Sequence, residues 1–385
     1  MRILHLIRSL DRHLGGPPQG LLSLTRAQAG RGHDVAILPA LPGGQPADAG
    51  DAVTVAPPPG SPLRMRFRDA RFLRSLREAA ACAEILHVHG LWWYHVPAAA
   101  RVGGEREIPF VLRPQGHLGR AARRHHRLRK AVYMLLQRAS MNRAAAVHCT
   151  SEKERRETLE IGLKPRHFVV PQPAEGPPAP GDAERARALH DLCPQLRPEQ
   201  FAILYMGRLA PIKRLGLLVE AFADRVRRGD DVYLILAGPE EDRAVVRDLR
   251  RRLGRPELSG RHCFTGFVGG ADKAAVLRRA DAFVQPSAHE NFGISVAEAM
   301  LAGRPCIVSS GVALADEIRR GGAGLVCGGA SGEYAAALGE FIRDRDRRER
   351  MAAAAAEVAA GFLPARVAAA LEDQYEQCIR EASGR

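Results

Sequence analysis

Aromatic residues are scarce in this 385-residue sequence, 5% overall with two tryptophans. That leaves too few rings for the base-stacking platforms, interleaved with basic side chains, that nucleic-acid binders use, so we expect no nucleic-acid partner. No apolar run approaches the roughly 20 residues needed to span a bilayer. RILHLI (2–7) gives way at once to charged residues and does not make a secretory leader. The seven cysteines (82, 149, 193, 263, 306, 327 and 378) form no C-x-x-C pair, and no histidines cluster at ligand spacing. We therefore expect small core hydrophobes in a reducing, cytoplasmic compartment, with no metal and no bound cofactor. Acidic residues are short in one half only. Residues 1–172 hold 27 Lys and Arg against 13 Asp and Glu, whereas residues 173–385 hold 30 of each. The whole net charge of +14 thus sits in the N-terminal half. Charge alone would suit nucleic acid, an acidic leaflet or a phosphorylated acceptor, and the scarcity of rings disfavours the first.

What is present is an alternation of short apolar runs with helical stretches, the pattern of βαβ units and parallel sheets. The chain is too long for one ordinary core. The spacing predicts one α/β domain over 1–172, a second over 173–363, and a last helix over 364–385 that returns toward the first. In the first domain RILHLI reads as a strand, followed by a Gly15-Gly16-Pro17-Pro18 turn and a helix. Strands follow at DVAILPA, ILHVHG, PFVLRP and AAVHCTS, with loop over 43–62 and helix over 120–143. The second domain restarts at FAILYMG and runs through VYLILAG, HCFTGFV and AFVQPS.

Residues 280–310, ADAFVQPSAHENFGISVAEAMLAGRPCIVSS, carry the densest signal. A strand ends near Pro286, Gly293 permits close backbone approach, and a short helix runs to Gly303 before another strand. The amides at that helix start favour an anion, and Glu290 and Glu298 can accept hydrogen bonds from sugar or ribose hydroxyls. The competing reading is structural: Ser295-x-x-Glu298 fits a capping box, and Glu290 could be a solvated loop acid. A second cluster, MGRLAPIKR (206–214), places Arg208 and Lys213 on a loop leaving a strand, where a fork and a point charge suit a diphosphate. Two solvated loop cations are the alternative. AGPE (237–240) and TGFV (265–268) end strands at the same sheet edge.

GRLAPIKR, LAGPE, FTGFV and PSAHENFGISVAEAMLAGRPCIVS, in this order and spacing, resemble the C-terminal half of family 4 retaining glycosyltransferases, over most of 201–330. The N-terminal half resembles them more loosely, through its first strand, the Gly15-Gly16 loop, HVHG and HCTSE. The resemblance implies an α/β GT-B fold, two Rossmann-like domains facing across a central cleft, with the C-terminal helix returning to the N-terminal domain. It implies that Arg208 and Lys213 bind the donor diphosphate, that Glu290 contacts the donor hexose, and that Glu298 holds the ribose hydroxyls. Asn291, Phe292 and Gly293 match the loop touching sugar and phosphate, Gly16 the glycine near the phosphates, and Phe267 and Val268 the frame of the base. A sugar-contacting histidine of the family aligns with either His117 or Gln115, and Pro171-Gln172-Pro173 replaces the family's Pro-Asn-Gly. The implied activity is metal-independent, retaining hexosyl transfer from a nucleotide-diphosphate sugar to a glycan or lipid-linked acceptor, in cell-surface polysaccharide or glycolipid synthesis. The rivals are a nucleotide-sugar epimerase, a phosphorylase, or a catalytically dead scaffold.

Two basic amphipathic stretches complete the reading. Over 120–139, Leu128, Val132, Leu135 and Ala139 share a stripe beside Arg120, Arg123, Arg124, Arg127 and Lys130. Over 63–77, Phe67, Phe72, Leu73 and Leu76 lie among arginines. Such helices dock on anionic leaflets or pack inward with solvated arginines. We expect the apolar stripe to pack inward and the arginines to face a leaflet or lipid-linked phosphate, peripherally on the inner face of the membrane.

Overall fold

The computed structural model describes the chain except residues 12–15, 44–48, 60, 62–64, 66–67, 125–126, 178–188 and 385, and the side chains of 121, 124 and 127. Gly15, Phe67 and the side chains of Arg124 and Arg127 therefore lie outside the described residues. The chain divides into two compact units, Met1–Ala174 with Phe362–Arg385, and Glu175–Gly361.

The first unit is built on a parallel sheet of seven strands: β1 (Arg2–Ile7), β2 (Asp34–Pro39), β3 (Val53–Val55), β4 (Ile85–His89), β5 (Phe110–Arg113), β6 (Ala146–Cys149) and β7 (Arg166–Val169). Their order is β3-β2-β1-β4-β5-β6-β7, so the winding reverses between β1 and β4. Strands β1, β4, β5 and β6 are almost wholly buried, as parallel strands covered on both faces must be. Strand β3 falls inside the segment expected to be loop. Three residues flanked by Pro and Gly carry too little periodicity to be seen in sequence. The helix Pro364–Ser383 belongs to this unit: Val367, Leu371, Tyr375 and Cys378 recur at helical spacing and pack with Ile3, Ile85 and Val111.

The second unit has six parallel strands: β8 (Phe201–Met206), β9 (Val232–Ala237), β10 (His262–Gly266), β11 (Ala282–Gln285), β12 (Cys306–Ser309) and β13 (Gly324–Cys327). Their order is β10-β9-β8-β11-β12-β13, with the reversal between β8 and β11. At such a reversal the loops leaving neighbouring strands diverge to opposite faces and open a crevice at the carboxyl edge. Each unit has one.

Two expectations are corrected here. Cys193 and Cys263, 70 residues apart, form a disulfide, which their sequence separation conceals and the fold creates by bringing the segment before β8 against β10. Cys149, Cys306, Cys327 and Cys378 are free and buried, and Cys82 is free and exposed. The apolar stripe of helix Arg127–Met141 points outward: Leu128 is 87% exposed, Leu135 81%, and Val132 and Leu136 more than half. The helix instead packs on helix His95–Arg106 through Gln137, Met134 and Met141, and the Gln137 amide donates to the Trp93 carbonyl at 3.5 Å. The second basic stretch does pack inward. Asp69 caps helix Ala70–Ala79 through the amides of Arg71 and Phe72, and Phe72, Leu73 and Leu76 are buried. Among the described residues no single helix is long and apolar enough to cross a membrane.

Candidate active site at two sheet reversals

In the second unit, the loops leaving β8 and β11 are knitted together. Ala288 N–H donates to the Ile212 carbonyl at 2.8 Å, and the Arg214 guanidinium donates to the Pro286 carbonyl at 2.9 Å. A short 3-10 turn, Pro211–Lys213, thereby brings the Lys213 ammonium onto the Glu290 carboxylate. Both side chains are largely enclosed, 11% and 16% exposed. Glu290 also accepts from Gln285 Nε2 at 2.7 Å and Ser287 Oγ at 2.9 Å. Burial alone would raise this carboxyl. The Lys213 charge and the three donated hydrogen bonds outweigh it and hold the group below the ordinary glutamate range. Glu290 is no solvated loop acid.

The capping box does not form. The helix spans Ile294–Leu301 with Gly293 as its N-cap at φ 102°, so Ser295 already lies inside the first turn. Glu298 is free to pair with Lys273, at 2.8 Å, on helix Gly270–Arg279. Burial pushes the Glu298 carboxyl up, Lys273 offsets part of that, and Glu175 adds to it. Arg208 makes a two-oxygen contact to Glu241 at 2.7 Å, with both side chains about half exposed. Tyr205 ties these groups: its hydroxyl donates to the Arg208 carbonyl at 2.9 Å, and its ionisation is opposed first by burial and then by the Glu290 charge. At the same carboxyl edge a Cβ on Gly238 would stand 2.1 Å from the Gly207 carbonyl oxygen, so β8 and β9 can end this close only with glycine there. Val268 and Phe292 are buried, whereas Phe267 presents a 70% exposed ring just beyond β10. Asn291 is hydrogen-bonded or otherwise engaged within the protein.

In the first unit, the reversal between β1 and β4 opens into a cavity of about 340 Å³. The ends of β1, β4 and β5 and helix Arg127–Met141 line it. Helix Gly16–Gly30 begins beside it and contributes Pro17 and Pro18. His117 and Gln115 both line it, and a Cβ on Gly90 would lie 3.4 and 3.5 Å from the two side chains. The structure thus brings together the two residues between which the sequence left a choice. His117 Nδ1 accepts from the Leu91 amide at 3.0 Å, which leaves the ring proton on Nε2. Burial, with smaller contributions from Lys130, His95 and Arg8, lowers its pKa to about 4.

Of the basic residues expected to face a membrane, Arg123 stands 3.9 Å from Glu160, which Arg120 also holds. Lys130 turns inward to line the cavity and donates to the Ala122 carbonyl. Helix packing puts Lys130 one turn before Met134 and two before Gln137, on the covered face.

A buried polar layer lies beneath this cavity. His5 and His87 are register partners on β1 and β4, and His5, His87 and His89 bring ring nitrogens within 4.8 Å of one another. Sequence spacing hid this cluster because two strands supply it. All but one of the ring nitrogens, His89 Nδ1, make hydrogen bonds: His5 with His89 at 3.0 Å and Gln28 at 2.8 Å, His87 with Tyr375 at 2.6 Å and His148 at 3.2 Å. Burial first, then neighbouring rings and the Arg113 guanidinium, keeps these imidazoles neutral. A buried Arg113 beside them opposes a second cation, so the cluster reads as a hydrogen-bonded layer rather than a metal centre.

Sequence reasoning missed Gln285, Ser287, Lys273, Arg8, Trp92, Trp93, Arg129 and Tyr133. Gln285 and Ser287 alternate along an extended run just before Glu290, a period-two signal that could have marked them. Arg8 directly follows the first strand as Arg208 follows β8 by two, and that parallel was also legible. The others come from separate loops and helices.

With this geometry described, the comparisons with known proteins fall into place. The "Glycosyl transferases group 1" family matches residues 194–358, and the "Glycosyl transferase 4-like domain" matches residues 15–173. The chain belongs to the group 1 glycosyltransferases. It is 32% identical over 213 residues to D-inositol 3-phosphate glycosyltransferase of Nocardia farcinica, covering 53% of this chain and 46% of the relative. It is 30% identical over 239 residues to 2-deoxystreptamine glucosyltransferase of Streptomyces kanamyceticus, covering 58% of each. Phosphatidyl-myo-inositol mannosyltransferase of Mycobacterium leprae is 34% identical over 184 residues, covering 47% of this chain and 48% of the relative. The chain thus spans about half the length of the curated relatives it matches. Among solved structures, Anabaena HepE in complex with UDP and glucose superposes with a TM-score of 0.76 at 19% identity, covering 98% of this chain and 99% of that one. Sucrose-phosphate synthase from Thermosynechococcus elongatus gives 0.75 at 19% identity, covering 99% and 100%. The two-sheet α/β architecture is that of GT-B glycosyltransferases.

Proposed function

We propose that the chain is a retaining hexosyltransferase that moves a sugar from a nucleotide-diphosphate donor to a glycan or lipid-linked acceptor, in polysaccharide or glycolipid synthesis. The observation that carries this reading is the enclosed Lys213–Glu290 pair at the reversal between β8 and β11. As the anomeric C–O bond breaks, negative charge grows on the diphosphate and positive character on the sugar ring. Lys213, Arg208 and the amides at the start of helix Ile294–Leu301 oppose the first, in a site already arranged for it. The exposed Arg208–Glu241 pair contributes about 0–1 kcal/mol, so Arg208 can exchange Glu241 for phosphate at little cost. Glu290, held ionised by its partners, orients the hexose and balances the ring's positive character. Glu298 takes the ribose hydroxyls and Phe267 and Val268 frame the base. The acceptor oxygen bonds to the anomeric carbon while its proton leaves with the diphosphate. In this reading the protein's own cations supply the charge a metal would otherwise bring, and activity persists in EDTA.

In this reading the acceptor enters the cavity of the first unit, which Gln115 and His117 line and beside which Gly16 opens its helix. Relatives carry names for acceptors of opposite charge, an inositol phosphate and the aminocyclitol 2-deoxystreptamine. Acceptor identity therefore has to be read from this chain's own cavity. The outward stripe of Leu128, Val132, Leu135 and Leu136, set among arginines, is read as a peripheral contact with an anionic leaflet. Each inserted side chain contributes about 1.5–3 kcal/mol and each nearby cation about 1 kcal/mol. A cytoplasmic-face location suits a nucleotide-sugar donor. The Cys193–Cys263 bond sits against a reducing compartment, and non-reducing peptide mapping of the protein from cells decides between them.

The deciding experiment incubates the protein with a panel of nucleotide-sugars, with and without acceptor extracts, and follows the anomeric configuration by NMR. Retained configuration in an acceptor-dependent product supports the reading. Conversion of the donor sugar without any acceptor would favour an epimerase.

A further inference from the structure

The cavity between the ends of β1 and β4 has a lopsided chemistry. Among the described residues its lining contains three cations, Arg8, Arg129 and Lys130, and neither aspartate nor glutamate. Two of its other polar groups are unpartnered donors. Trp92 Nε1 and Gln115 Nε2 are buried without a hydrogen-bond partner among the described residues, and His117 keeps its proton on Nε2. A buried donor left unsatisfied costs about 1–3 kcal/mol, so such a set is retained where a ligand supplies acceptors. Trp92 and Gln115 moreover hold left-handed backbone, at φ 71° and 54°, which bulky residues occupy only where the surroundings impose it.

Flat apolar surface adjoins these donors. The Arg8 guanidinium lies over the Trp93 ring, 4.5 Å from its centroid, and Trp92 meets Tyr133 at 6.4 Å. Stacking on Trp93 fixes the Arg8 fork without consuming its donors, since no ion pair or hydrogen bond of Arg8 is found among the described residues. Cations and donors with no acid among them select against a neutral or cationic ligand. They match a group rich in acceptor oxygens and negative charge, with rings beside it for the CH faces of a polyol.

Resting on the glycosyltransferase reading above, we propose that this cavity takes a phosphorylated acceptor, its phosphate held by Arg8, Arg129 and Lys130 and its polyhydroxylated body by Trp92 and Trp93. The phosphate belongs either to a soluble sugar phosphate or to a lipid headgroup; the binding chemistry is shared.

The protein carries its own reporter, because both of its tryptophans line this cavity. Intrinsic fluorescence of the full chain is titrated with inorganic phosphate, glucose 6-phosphate, glucose, and vesicles of phosphatidylglycerol or of phosphatidylcholine. Saturable changes are expected with phosphate and glucose 6-phosphate or with phosphatidylglycerol, and none with glucose or phosphatidylcholine. A response to glucose 6-phosphate alone assigns a soluble acceptor, and one to phosphatidylglycerol alone assigns a headgroup. Arg8→Gln and Lys130→Gln, each checked for fold by circular dichroism, should each weaken that binding roughly tenfold. The response should survive Lys213→Ala, which places it outside the donor site. Equal binding of glucose and glucose 6-phosphate, unchanged titrations in both variants, or silence toward every phosphate probe overturns the proposal. A thermal shift with UDP and with GDP, lost in Lys213→Ala, tests the donor site separately. A sound donor site beside a silent cavity sinks the acceptor assignment alone.

Discussion

The two sheet reversals share a topology and differ in chemistry. In the second unit three cations at the crevice each have an acid: Lys213 with Glu290, Lys273 with Glu298, Arg208 with Glu241. In the first unit three cations and two unpartnered donors line a cavity that holds no carboxylate among the described residues. The first arrangement is poised, with each of these charges already paired within the protein. The second is unsatisfied and asks for an anion. In the proposed reading one fold supplies a neutralised site for bond breaking and a cationic site for capture, through which residues follow each strand.

The sharpest way to break this comparison is Glu290→Ala. We expect transfer to fall by roughly 10²–10³-fold while far-ultraviolet circular dichroism stays unchanged, because electrostatic groups at a reacting centre carry effects of that size. Full activity would show that the poised pair is structural. Next in size, Phe72→Ala should cost about 3–5 kcal/mol in denaturant unfolding, since the ring is fully buried. Leu128→Asp with Leu135→Asp should leave stability within about 0.5 kcal/mol per site, since both are exposed, yet abolish sedimentation with anionic vesicles. Vesicle binding that survives the pair of aspartates would end the leaflet assignment.

A smaller effect separates the two sites by pH. Glu290 has a depressed carboxyl, so its charge and the stability it contributes persist above the unfolded glutamate range and are lost only as pH falls through the lower folded value. Lys213→Met removes the main cause of that depression. The acid limb of the pH–rate profile should then move to higher pH, and an unmoved limb would assign it to another group. A last effect is at Gly90, whose φ of 83° strains any side chain and whose Cβ would come into contact with Gln115 and His117. Gly90→Ala should cost about 1–2 kcal/mol of stability and raise the acceptor KM more than the donor KM.

Much of this was legible in one dimension. Glu290, Glu298, Arg208 and Lys213 lie in two short stretches, each within a single strand-loop-helix unit, so their company could be read from spacing. The exposed face of helix Arg127–Met141 was not. Like helix Ala70–Ala79 it carries an amphipathic pattern, and only the position of a neighbouring helix decides which face is covered. The histidine layer and the Cys193–Cys263 bond were hidden for a related reason, since each joins residues that only strand order brings together.

By itself the sequence determined the alternation of strands and helices, the uneven charge, and the placing of Arg208, Lys213, Glu290 and Glu298 in stretches that follow strand ends, because periodicity and loop length act over neighbouring residues. Tertiary structure alone decided that Arg8, Trp92, Gln115 and Lys130 share one cavity, and that Leu128 and Leu135 face outward. Those placements depend on strand order and helix rotation, and both are settled by packing between segments scores of residues apart.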